Sequence, residues 1–212
     1  MAQEESAMVD PKEFLEIGQT FHGHKCPAMP MGLRVGAAAM NKLGVERAPD
    51  GQLVALVELG DDHCAHCFAD GIQMITGCTY GKGNITQLNY GKWGVTLIDR
   101  ASGRAVRVVP KTEAMLANKQ SDFFKNYREK GIPASQVPAS VVEPLIAKVM
   151  GAPDAMLMHI GEVVAHPLPK KVESFAGFVC EVCGEMTVEG YGRPLGDKKV
   201  CIPCYEKAAQ ER

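Results

Sequence analysis

The chain has 212 residues, 46% hydrophobic and 23% charged, with a formal charge of −2, values ordinary for a soluble globular protein of one medium domain plus a small appendage. The charge gives no general pull toward nucleic acid, and no apolar run approaches the roughly 18 residues of a membrane helix. The opening Met1-Ala-Gln-Glu-Glu-Ser6 lacks the basic and apolar regions of a signal peptide, so a cytoplasmic location is expected, with the eight cysteines read as reduced thiols and metal ligands rather than disulfides.

In chain order, Phe14, Leu15, Ile17 and Phe21 fall near helical spacing, and Asp10-Pro11 supplies a helix start. A second helix is predicted over Met31–Leu43, ended by Gly44, with Gly32 and Gly36 pointing to close packing. Leu53–Leu59 reads as a strand and Cys64–Ile75 as a helix. The glycine-rich stretch Gly77–Gly91 reads as a functional or tightly folded loop. Trp93–Asp99 and Arg104–Val109 predict a hairpin around Ala101-Ser-Gly103. Helices are expected over Lys111–Lys130 and Val141–Val149, then a strand over Ala155–Val164. His159 is read as a sheet residue, and Phe123-Phe124 with Tyr127 as packing or an interface. The order predicts an α+β fold: a mixed helix/sheet core over residues 1–166, a proline- and lysine-rich linker over 167–174, and a small C-terminal finger over 175–212.

The finger carries the strongest chemical signal. Cys180-x2-Cys183, 17 residues, then Cys201-x2-Cys204 matches a structural four-thiolate zinc site, and the second pair runs into a helix-forming tail. A knuckle, a short hairpin and a cysteine pair at a helix start describe a treble-clef or zinc-ribbon finger. Chains this short seldom bury enough apolar surface to fold unaided, and a structural zinc supplies about 10–16 kcal/mol. Five Lys/Arg against six Asp/Glu in residues 175–212 lack the basic footprint of a DNA reader.

A second cluster lies between residues 22 and 78, which hold four of the six histidines and the other four cysteines. His22-Gly-His24-Lys-Cys26-Pro27 places candidate ligands at alternate positions, which in extended chain share a face. His63-Cys64-Ala-His66-Cys67 follows a strand, and a thiolate at a helix N-terminus has its pKa lowered. His22, His24, Cys26, Cys64 and Cys67 are the core ligand candidates for zinc or another transition metal. His63, His66 and Cys78 stay open as partners. The Cys-x2-Cys spacing of Cys64 and Cys67 also fits thiol–disulfide chemistry. Cys64, Cys67 and Asp70 are the catalytic candidates, with Asp70 and Gln73 able to support the first ligands from behind. Lys82, in Gly81-Lys-Gly-Asn84, is a candidate anion or cofactor contact without Walker-loop spacing.

At these residues the chain resembles the FmdE family, named for the FmdE component of formylmethanofuran dehydrogenase. The likeness spans about residues 12–165: His22-Gly-His24-x-Cys26-Pro27, Gly77-Cys78-Thr79-x-Gly81-Lys82-Gly83-Asn84, Asn89-Tyr-Gly91-Lys92 and the Thr96–Arg107 hairpin. The resemblance implies an α+β core with a Cys/His cleft, metal binding in some members, dimerisation, and in some members a C-terminal zinc finger. It matches the family's cysteine to Cys64 and its aspartate to Asp70, with His66-Cys67-Phe68 as extra sequence between them and Ala28 where glycine often follows Cys-Pro. The expected protein binds metal in a core cleft, with redox or one-carbon chemistry as its field. The alternative is an accessory protein whose finger recruits a partner enzyme. A small-molecule ligand is a further possible partner.

Overall fold

The computed structural model describes residues 8–62, 66–166, 168 and 174–211. The predicted linker lies mostly outside these residues. Contacts divide the chain into two compact units, Met1–Leu168 and Pro169–Arg212.

The first unit is built around one helix. Asp10 accepts from the amide of Lys12 at 2.9 Å and starts a 3-10 turn, Pro11–Phe14, that leads into α1, Leu15–His22. Helix α2, Ala28–Leu43, is buried over nearly its whole circumference, as its run of Met, Gly, Ala, Leu and Val requires. It begins three residues before the predicted Met31, because Pro30 falls in the first turn, where a missing amide costs nothing. Helix α3, Cys67–Thr76, crosses α2 at very short range. A Cβ on Gly32 would lie 2.1 Å from the carbonyl oxygen of Phe68, and one on Gly71 would lie 2.1 Å from that of Met29.

Beneath these helices lies a sheet of β1 (Leu53–Val57), β2 (Ile85–Gln87), β3 (Val95–Asp99), β4 (Arg104–Pro110) and β5 (Met158–Ile160), in the order β2-β1-β3-β4-β5, with β6 (Val164–Ala165) also on β4. Among the described strands of this sheet only β1 and β2 pair in parallel. Side chains alternate: Leu53, Ala55, Val57, Leu97, Val106 and Val108 join the core with α2, while Val54, Ile98 and Ala105 form a separate cluster with Leu56 and Leu168. Glu58, just beyond β1, is buried and paired at 2.6 and 2.7 Å with both arms of the Arg107 guanidinium.

Several predicted elements change. Strand β2 lies inside the expected loop Gly77–Gly91. The long helix over Lys111–Lys130 is broken into α4, Thr112–Lys119, a π-helical turn, Phe123–Tyr127, and a 3-10 turn, Arg128–Lys130. Ser121 causes the break by turning its amide and hydroxyl back onto the carbonyl of Asn118, at 3.0 and 2.6 Å. Helix α5, Ala139–Gly151, is longer than predicted. The expected strand over Ala155–Val164 opens instead with a helical turn, α6, Asp154–Leu157, before β5 and β6. Buried Arg34 imposes this turn: it donates to the carbonyls of Val149, Met150 and Ala152 and, at 2.6 Å, to Asp154 Oδ1. His159 lies in β5 and is exposed. Among the described residues no helix is long and apolar enough to cross a membrane.

The second unit has two hairpins, β7 (Gly177–Val179) with β8 (Met186–Val188) and β9 (Gly192–Leu195) with β10 (Lys198–Cys201), followed by α7, Ile202–Gln210.

Candidate metal centres

The core centre forms where α1 hands over to α2. Helix α1 ends on His22, and Gly23 closes it in the left-handed conformation (φ 86), its amide donating to the Gln19 carbonyl at 2.9 Å. The reversal brings His24 and Cys26 back beside His22. The three side chains thus converge through a helix cap, not through the extended segment that their alternate spacing suggests. Helix α3 adds Cys67, its first residue.

One donor atom each from His22, His24, Cys26 and Cys67 lies within 4.8 Å of all the others. His22 Nε2 is 3.1 Å from His24 Nε2 and 3.6 Å from Cys26 Sγ. A tetrahedral zinc with Zn–N near 2.0–2.1 Å and Zn–S near 2.3 Å sets N···N edges of about 3.3 Å and N···S edges of about 3.6 Å. The spacing therefore suits a coordinated ion.

Asp70, in the first turn of α3, accepts from His22 Nδ1 at 2.7 Å. That bond holds the proton on Nδ1 and turns the Nε2 lone pair toward the other donors. Gln73 Nε2 donates to Asp70 Oδ1 at 3.1 Å, and Gln73 Oε1 accepts from the Tyr80 amide at 3.1 Å, so the carboxylate is itself held in place. Without a metal, the hydrogen bond to Asp70, aided by Cys67, pushes His22 up to about 9. Burial and the neighbouring His22 push His24 down. The Cys67 thiol pulls Cys26 down, and the same contact together with burial pushes Cys67 up. A divalent ion bound there would relieve this crowding by replacing protons shared among donors of one site.

None of the remaining described candidates joins the cluster. His63 and Cys64 fall outside the described residues. His66 is exposed just ahead of α3 and is not in the cluster. Cys78 is fully buried away from the cluster, and burial pushes its thiol up. Lys82 Nζ donates to the carbonyls of Ala48 and Pro49, both at 3.1 Å. Buried Asn84 accepts from the Thr79 amide at 2.8 Å and donates to the carbonyls of Asp50 and Leu53, so the Gly-Lys-Gly-Asn segment orders the loop around it. Sequence reasoning missed Trp93 and Arg128, which border a cavity beside Cys26 and Cys67. Their positions in the sequence give no hint of it.

In the second unit, Cys180 and Cys183 occupy the turn between β7 and β8. Cys201 ends β10 and Cys204 lies in the first turn of α7. The four sulfurs lie within 4.8 Å of one another, and Cys183 Sγ is 3.8 Å from Cys201 Sγ, close to the S···S edge of about 3.8 Å in a zinc–thiolate tetrahedron. The Cys201 amide approaches Cys180 Sγ at 3.3 Å. Backbone amides, foremost that of Cys183, pull the Cys180 thiol down to about 6, readying a thiolate ligand. The order knuckle, hairpin, helix is that of a treble-clef finger.

Comparison with known proteins fits this architecture. Over 98 residues, 44% of this chain, the sequence is 38% identical to a probable S-adenosyl-L-methionine-binding protein of Archaeoglobus fulgidus, of which the chain spans only 25%. In fold it is similar to a tungsten formylmethanofuran dehydrogenase FmdE-like protein from Syntrophus aciditrophicus, with a TM-score of 0.58 over 98% of both chains at 22% identity. The family model described as FmdE, molybdenum formylmethanofuran dehydrogenase operon, matches residues 21–159, which run from the His22 cap through β5. The chain belongs to the FmdE family.

Proposed function

We propose that this protein is a two-centre metalloprotein: a core zinc or other transition-metal site held by His22, His24, Cys26 and Cys67, and a structural zinc in the finger. The reading rests on one observation, the convergence of the core's two imidazoles and two sulfurs at coordination spacing with Asp70 behind His22. The bound metal would supply Lewis acidity and hold reactive thiolates at neutral pH. The chain's own residues set the rest. Asp70 orients His22, and α3 fixes Cys67 opposite the α1–α2 junction. Among the described residues only His22 has a carboxylate bonded behind its ring, so His24 is the donor most readily exchanged for a substrate atom. A four-donor site needs such an exchange, or reaction at sulfur, to act chemically. Redox or one-carbon chemistry is the field that family membership favours.

Metal content per chain after anaerobic purification tests the reading. Two ions are expected in the wild type, one in Cys180→Ser/Cys183→Ser and one in Cys26→Ser/Cys67→Ser. A single ion in the wild type, lost with the finger cysteines, would remove the core centre.

A second reading, an accessory protein recruiting a partner enzyme through its finger, is supported by Val179, Val182 and Met186, all exposed on or beside the first finger hairpin. Val182→Glu with Met186→Glu would then keep both metals but break the complex. An intact complex would sink this second reading.

A further inference from the structure

A cavity of about 230 Å³ borders the core centre on its sulfur side, lined by Cys26, Cys67, Trp93, Phe123, Phe124 and Arg128 among others. Its walls are aromatic and braced. Phe68 meets Trp93 edge-on with centroids 5.7 Å apart, and Phe123 meets Phe124 likewise at 5.5 Å. One wall is the π-helical turn Phe123–Tyr127, the place where the expected long helix breaks. Such turns are costly and frequent at functional sites. Arg128 follows directly. Its Nη1 donates to the Ile132 carbonyl at 2.7 Å, which fixes the guanidinium and leaves the rest of its N–H fork for another acceptor. Its charge also reaches His24, where it opposes protonation. Glu129 lines the same cavity and disfavours a doubly charged guest.

We propose that this cavity binds a small organic monoanion, an aromatic or branched carboxylate. The apolar body lies against Trp93, Phe123 and Phe124, and the carboxylate pairs with Arg128 beside the sulfurs of the core centre. A cavity of about 150 Å³ holds benzene, so this one has room for a single ring and its charged substituent. The assignment of the guest as a ligand of the metal-bearing cleft rests on the core-centre reading. The pocket itself rests on its own lining.

The chain's single tryptophan, Trp93, makes the test direct. Benzoate and its neutral counterpart benzyl alcohol are titrated into the full-length protein while Trp93 emission is followed, with metal content measured on the same sample. Benzoate should give a saturable change and bind at least about tenfold more tightly than benzyl alcohol, as expected for a charge-assisted bond. Arg128→Gln should erase that preference, and Arg128→Lys should restore most of it. Equal binding of the two probes by the wild type overturns the proposal without reference to any variant, as does a flat titration. A sample that carries core metal but ignores benzoate removes the pocket and leaves the centre. A sample without core metal that still prefers benzoate through Arg128 supports the pocket and removes the centre.

Discussion

A carboxylate hydrogen-bonded behind an imidazole changes that ring in two ways: it fixes the tautomer and raises the basicity of the far nitrogen. Asp70 does this for His22 across 2.7 Å. Asp70→Asn keeps an acceptor oxygen but loses the charge, so core metal affinity should fall about 10–100-fold. Competition with a chromophoric chelator would show this as a shift of the core metal alone, with the finger metal unmoved. Unchanged affinity would reduce Asp70 to a packing group. Away from the candidate centres, Arg107 holds the Glu58 carboxyl below the usual carboxylate range by a two-point hydrogen bond. A depressed carboxyl stabilises the fold above its unfolded value, near pH 4.3, and that contribution disappears as the pH falls through the folded value. Urea midpoints between about pH 6 and pH 3 should therefore drop more steeply in the wild type than in Glu58→Gln. Parallel curves would show that the pair is not titrating as described. At this scale the sequence named His22, His24, Cys26, Cys67 and Asp70 among its candidates. That Cys67 reaches the cluster depends on where α3 begins relative to the α1–α2 junction, a tertiary fact, and Cys64 lies outside the described residues. Trp93 and Arg128 were invisible for the same reason: each reaches the cavity from a different, distant segment.

The core centre depends on how closely α2 and α3 approach, because the junction that precedes α2 carries three donors and α3 carries the fourth together with Asp70. Backbone, not flexible side chain, faces Gly32 and Gly71, so a methyl group there cannot be accommodated by a rotamer change. Gly71→Ala should destabilise the protein by about 2–3 kcal/mol and weaken core metal binding together. Gly151→Ala is the control: nothing lies within 4 Å of the added Cβ, at the end of α5, and stability should hold or rise by up to about 1 kcal/mol. Chemical denaturation of both variants checks the pair, and a tolerated Gly71→Ala would show that the helices can part without harm. The sequence announced part of this contact, since Gly32 and Gly36 break an otherwise helix-favouring run. It announced β1 through its short apolar run and β3 and β4 through segments rich in β-branched residues flanking a glycine turn. It could not announce β2, whose three residues are mostly exposed and are a strand only because β1 offers a parallel edge. The break after α4 and the turn α6 were hidden likewise, since the first is set by Ser121 bonding back to Asn118 and the second by Arg34 reaching across from α2.

The two units stand on different foundations, and metal removal should separate them. In Met1–Leu168 large apolar side chains such as Leu33, Phe68, Ile72 and Leu97 are completely buried, and their burial at roughly 1.5–3 kcal/mol per side chain holds the fold whether or not the core centre is filled. In Pro169–Arg212 the buried cluster is Val200 with Cys180 and Cys201, supported by the partly buried Phe178, Leu195 and Cys204. Three of those six are candidate ligands of the proposed zinc, so taking a bound metal away would remove the finger's cross-link and loosen its core. Hydrogen exchange after exhaustive chelation should therefore show the amides of β7 through α7 exchanging without protection, while α2 and α3 stay protected. If α2 and α3 open with the finger, the core centre is a structural staple of the first unit and its donors are too committed to exchange for a substrate. If the finger stays protected, its hairpins fold without metal and the four thiolates are free for another role.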